Sequence, residues 1–179
     1  MSADTIQCVV DQSNNITPII IGISGFLASC FACWSIYSAR SIAQKKAAID
    51  LMERSIENIV LTKATETVRK IHLDSNIEIS VFAYGKRPDN HEVDGFVRDR
   101  DAIRKVLNFQ EHMAVGIKNN IYDEKVLKEQ RYTSTVELWK MVESFVRKRR
   151  EITKSDTLYQ EFEKLAKDWK KNKLEVIGG

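Results

Sequence analysis

Residues 18–37 read PIIIGISGFLASCFACWSIY, twenty positions without a charge. At 1.5 Å per residue a helix of that length spans about 30 Å, the thickness of bilayer hydrocarbon. A helix on the surface of a soluble domain carries a polar stripe, and this run has none. A cleavable leader needs basic residues ahead of its apolar stretch. Here the first 17 residues carry only Asp4 and Asp11 as charges. Trp34 and Tyr37 stand near the far end, where amphipathic rings favour the headgroup zone, and Arg40, Lys45 and Lys46 follow at once. Positive charge stays inside. The reading is one transmembrane helix over 18–38, with an outer segment over 1–17 and everything after it in the cytoplasm.

Projected at 100° per residue, the run has two unlike halves. One collects Gly22, Gly25, Ser29 and Cys33 with their small neighbours; the other collects Ile19, Ile23, Phe26, Phe31 and Trp34. Water does not drive association in lipid, so helices there join through small residues and hydroxyl hydrogen bonds. The small half is therefore expected to meet another copy of the chain. Copies in a ring would turn Gly22, Gly25, Ser29 and Cys33 toward an axis, as a narrow pore lining or as plain helix packing. Cys30 and Cys33 form a CxxC pair, which inside an apolar helix reads as packing rather than metal or redox chemistry. Three cysteines make no disulfide framework.

All 28 Lys and Arg lie after residue 39, interspersed with acids, and the chain as a whole is +3. That is a solvated helical surface rather than a nucleic-acid-binding tail. Two prolines and seven glycines in 179 residues argue against a loop-rich or all-β fold. The fold class is mainly α: the membrane helix runs on as a connecting helix over 39–74, with a second piece after a bend near Lys63, and a helical-bundle domain fills 75–179. Within that domain the alternation Ile77–Val81 predicts a short strand, and 84–95 a surface loop. Asp99 is expected to cap a helix starting near Arg100 and ending at Asn119–Asn120. Gly116 lies inside that helix, as a close helix crossing requires. Asp123 begins a short helical piece. Ser134 with Glu137 reads as a capping box for the next helix, and Asp156 as the cap of the last.

No catalytic signature is present. His72, His91 and His112 are dispersed, and there is no HExxH, GxSxG or phosphate-binding glycine loop. No catalytic residue, metal site or cofactor is expected, and the chain reads as a non-enzyme. Asn108, Tyr122 and Asp123 could shape a polar pocket or simply finish a helix and its turn. An anionic ligand such as an oligonucleotide would seek cations. The candidates are Arg98, Arg100, Arg104, Lys118, Arg131, Arg147 and Arg150. The run 147–150 also has a plain explanation, because cations are stabilised at a helix C-terminus.

Residues 107–117, LNFQEHMAVGI, then Ile121-Tyr122-Asp123, and later Tyr159, Phe162, Glu163, Leu165, Ala166 and Trp169, resemble a domain family of unknown function from small single-span proteins of bacteria and phages. The resemblance covers roughly residues 40 to 172. The layout, rather than any motif, also resembles the HalB-type transmembrane effectors of the Hailong anti-phage system. That resemblance implies an oligomeric channel in the inner membrane of a bacterium. It also implies gating by a short oligonucleotide made by a nucleotidyltransferase partner, in antiviral defence. Beside it stands a non-conducting membrane-anchored scaffold or phage-exclusion protein, which shares the same sequence features. Depolarisation of cells by the chain alone separates the two.

Overall fold

The computed structural model describes residues 3–74, 78–84 and 93–174, with only the backbone described for 3–24 and 93. Among the described residues the fold is mainly α, without a strand. Helix α1 (Ala3–Glu57) is followed by α2 (Ile59–Leu73), a 3-10 helix (Ile79–Tyr84), α3 (Val93–Lys118), α4 (Glu124–Thr153) and α5 (Gln160–Lys171). The chain divides into two compact units, Met1–Ala43 and Gln44–Gly179.

In the first unit the side chains of Phe26, Leu27, Phe31, Trp34, Ile36 and Tyr37 are all more than 60% exposed. Among the described residues, no helix is long and apolar enough to cross a membrane. The run 18–37 begins outside the described side chains, and the part that is described starts at Gly25.

The second unit is a helical bundle. Its core joins Ala48 and Met52 of α1 to Val68 of α2, Phe82 of the 3-10 helix, Ile103 and Leu107 of α3, Val142 and Phe145 of α4, and Phe162 and Trp169 of α5. The layers follow from which faces are apolar: α2 lies on α3, α4 on the 3-10 helix, and α5 against both α3 and α4. Trp139 and Phe162 meet edge to face, 5.4 Å between ring centroids, the arrangement their quadrupoles favour.

Several local expectations are corrected. The connecting helix breaks at Asn58, not near Lys63. The Asn58 side chain accepts from the Leu61 N–H and restarts the chain as α2. The residues expected as a strand turn as a 3-10 helix from Ile79, while Ile77 lies outside the described residues. Helix α3 starts at Val93, so Asp99 is buried inside it rather than capping it. It ends as expected, with Asn120 at φ 54°. Asp123 caps α4, accepting from the Val126 N–H at 3.1 Å, but α4 is one helix of 30 residues. Ser134 is inside it, its hydroxyl bonded back to the Arg131 carbonyl. Asp156 caps nothing: α5 follows Tyr159, in the left-handed region at φ 56°, and has no side-chain cap of its own.

Candidate ligand site around Arg131

The resemblance residues have structural partners within the second unit. Glu111 of α3 accepts from two backbone N–H groups of α5, Glu161 at 3.3 Å and Phe162 at 2.8 Å. It thus supplies the N-terminal cap that α5 lacks. The Tyr159 hydroxyl donates to Asn108 Oδ1 at 3.1 Å, and burial pushes its pKa up despite the nearby Arg104 and Arg149. Trp169 Nε1–H donates to Glu124 at 2.9 Å. Tyr122 turns under α3 and pairs with His112 Nε2 at 3.2 Å. An added Cβ on Gly116 would overlap the Tyr122 ring. The glycine is therefore required by a turn side chain rather than by a helix crossing.

Most of the sequence-predicted cations are likewise occupied. Arg98 lies 3.6 Å from Asp99 and Arg104 3.9 Å from Asp101. Lys118 binds Glu161 at 2.9 Å, and Arg147 binds Glu143. Arg150 binds Glu163 at 2.6 Å and donates from Nε to the Leu158 carbonyl. Arg100 is half-buried, with its Nε unsatisfied. These residues are distributed over α3 and α4 and do not converge on one cavity.

Among the described residues, Arg131 is the one of these cations that lines a cavity of about 440 Å³ between α2, α3, α4 and the end of α1. That volume suits a single small molecule. Half-buried on α4, Arg131 donates through Nη2 to the Ser55 hydroxyl, which itself donates to the Met52 carbonyl at 2.7 Å. Its guanidinium stands over the Phe109 ring, 6.0 Å from the centroid, a favourable cation–π distance. Burial lowers the Arg131 pKa from the ordinary arginine value; the group stays charged at neutral pH. Among the described residues it forms no ion pair, and an Arg carries five N–H donors.

The second feature of the wall is Gln110, 5% exposed, whose Oε1 has no hydrogen-bond partner among the described residues. An unsatisfied buried acceptor costs about 1–3 kcal/mol. Ile56, Leu61, Val106, Leu138 and Met141 supply an apolar lining, and Glu66, Arg69 and Glu137 lie along it. Gln110 and Ser55 were absent from the sequence-derived candidates. Gln110 had a signal: it occupies the register of Val106, Met113 and Ala114, where a polar residue breaks an apolar face. Ser55 had none, being 76 positions from Arg131.

The domain model that matches, over residues 22–169, is the domain of unknown function DUF4760. The chain belongs to that family. The DUF4760 match takes in part of the apolar run, all four cavity-lining elements and the Glu111, Gly116 and Trp169 positions. No curated protein and no solved structure matches the chain.

Proposed function

We propose that the protein is a self-associating, membrane-anchored effector whose helical domain senses a small ligand and controls an ion-conducting path. The observation that carries this reading is the exposure of Phe26, Leu27, Phe31, Trp34, Ile36 and Tyr37 on one helix. Apolar surface of that extent calls for lipid or protein around it. Uncharged residues extend the same run back to Pro18, and basic residues follow it, which supports an inner-membrane span with the N-terminus outside. The face Gly22, Gly25, Ser29 and Cys33 is where copies would meet. Helix α1 carries both this run and Ser55 and Ile56 of the Arg131 cavity. A ligand shifts a gate only if it binds the two states of the assembly with different affinity, and α1 gives it a continuous element to act on. The phage-defence setting and an oligonucleotide-making partner rest on the layout resemblance.

One observation favours the second reading, a non-conducting anchor or exclusion protein. The Ser29 hydroxyl donates to the Gly25 carbonyl at 2.9 Å within its own helix, which leaves the small face less polar than a water-filled lining needs.

Ion flux from liposomes holding the full-length protein tests the proposal, beside Ser29→Leu. Flux that falls in the variant is expected. Absence of flux from oligomeric protein, both intact and after removal of the domain by proteolysis, would retire the channel and leave the anchor.

A further inference from the structure

Resting on the sensor reading above, we infer that the Arg131 cavity binds a small organic monocarboxylate with an apolar body and one hydrogen-bond donor. The guanidinium is partly buried and held by Ser55 and Phe109. Among the described residues it has no carboxylate partner, and its remaining donors form the planar fork that a carboxylate matches. The donor on the ligand is for Gln110, whose Oε1 is buried and unsatisfied in the same wall. Ile56, Val106, Leu138 and Met141 take the apolar body.

Charge disfavours a dianion. The cavity is lined by two cations, Arg69 and Arg131, and two acids, Glu66 and Glu137. Their formal charges cancel, so a phosphate dianion would meet the acids without a second unopposed cation. A polyanion fits less well still, because a volume of about 440 Å³ takes one small molecule and no strand. Of the other predicted cations, Arg98, Arg104, Lys118, Arg147 and Arg150 are paired with acids elsewhere.

Indole-3-acetate combines the three required features: a carboxylate, a flat apolar body and one N–H. Saturation-transfer NMR and calorimetry on the full-length protein in nanodiscs should show it binding one per chain. Its methyl ester should lose binding. Arg131→Lys, which keeps the charge and loses the fork, should weaken it roughly tenfold. Gln110→Met should weaken indole-3-acetate but leave 1-methylindole-3-acetate unchanged, and the melting temperature of each variant reports that the domain is folded. Four outcomes overturn the inference: no binding of indole-3-acetate, 4-hydroxyphenylacetate or N-acetylleucine; equal binding of acid and ester; unchanged binding in folded Arg131→Lys; or displacement by a short oligodeoxynucleotide that itself binds more tightly through Arg131. Binding and flux are read separately. Flux without carboxylate binding removes this ligand class and keeps the channel, whereas binding without flux keeps the site and removes the channel.

Discussion

Gly25 and Gly116 stand in the two units of the chain and have opposite surroundings. A Cβ added at Gly25 meets nothing within 4 Å, whereas at Gly116 it would enter the Tyr122 ring. The same contrast runs through the side chains around them. In the first unit the large apolar residues are exposed and the Ser29 hydroxyl turns back on its own helix. In the second, helices are joined by polar side chains that reach across long sequence separations: Glu111 to α5, Trp169 to Glu124, Tyr159 to Asn108. One region is complete within a single chain. The other leaves large apolar side chains uncovered, the surface for which lipid or another copy is proposed above.

The largest test of this contrast is Trp169→Ala. The side chain is fully buried, and its loss should cost the second unit about 3–5 kcal/mol, read as a lower midpoint in chemical unfolding. Trp34 fluorescence should be unmoved in that transition, since Trp34 belongs to the first unit. A Trp34 signal that shifts together with Trp139 would break the division.

Smaller, and sharper, is a pair of glycine substitutions. Gly116→Ala should destabilise the second unit by about 1–3 kcal/mol through overpacking. In a Tyr122→Ala background the same change should turn neutral or stabilising, because Ala exceeds Gly in helix propensity by about 1 kcal/mol. Gly25→Ala should leave the unfolding midpoint of the second unit alone and weaken self-association, measured by cross-linking in detergent. Equal effects at the two glycines would remove the contrast.

The smallest expected effect is acid sensitivity of the α5 ion pairs. Hydrogen bonding from Lys118 leads the causes that hold the Glu161 carboxyl down to about 2, against partial burial. For Glu163, burial pushes upward, and hydrogen bonds from Lys167 and Arg150, with their charges, outweigh it. Both groups are thus lowered from 4.5 in the folded chain, and the unfolded chain binds more protons between the two values. The Glu161 contribution is complete above about pH 4.5 and is lost as the pH falls toward 2; that of Glu163 is lost in the same direction, as the pH falls. Thermal melts over that window should show it for the wild type, and a flatter slope for Lys118→Ala.

What was legible in the sequence divides along physical lines. The mainly helical class and the two ends flanking the α3–α4 turn were readable, because Asn120 and Asp123 act through their own neighbouring backbone. The other helix starts inside 93–160 were misread, because the same residue types serve other ends. Ser134 bonds back to Arg131 in mid-helix, and Asp99 is buried rather than capping. The alternation near Ile79 was too short to separate a strand from a 3-10 turn. Arg131 was one of seven equal candidates, and what distinguishes it is its neighbours. Ser55, Phe109 and Gln110 come from other helices, and of these Gln110 alone carries a local signal, as a polar residue in an apolar register.

Helix α5 has 12 residues and takes its first-turn acceptor from Glu111, fifty positions earlier. A helix so short is marginal by itself in water. Its order therefore depends on α3 being in place, while α3 owes nothing comparable to α5. The expected consequence is a direction of assembly, with α5 closing last and opening first. Its amides should be the earliest in the second unit to exchange with solvent, which makes α5 the element through which the bundle loosens before it unfolds.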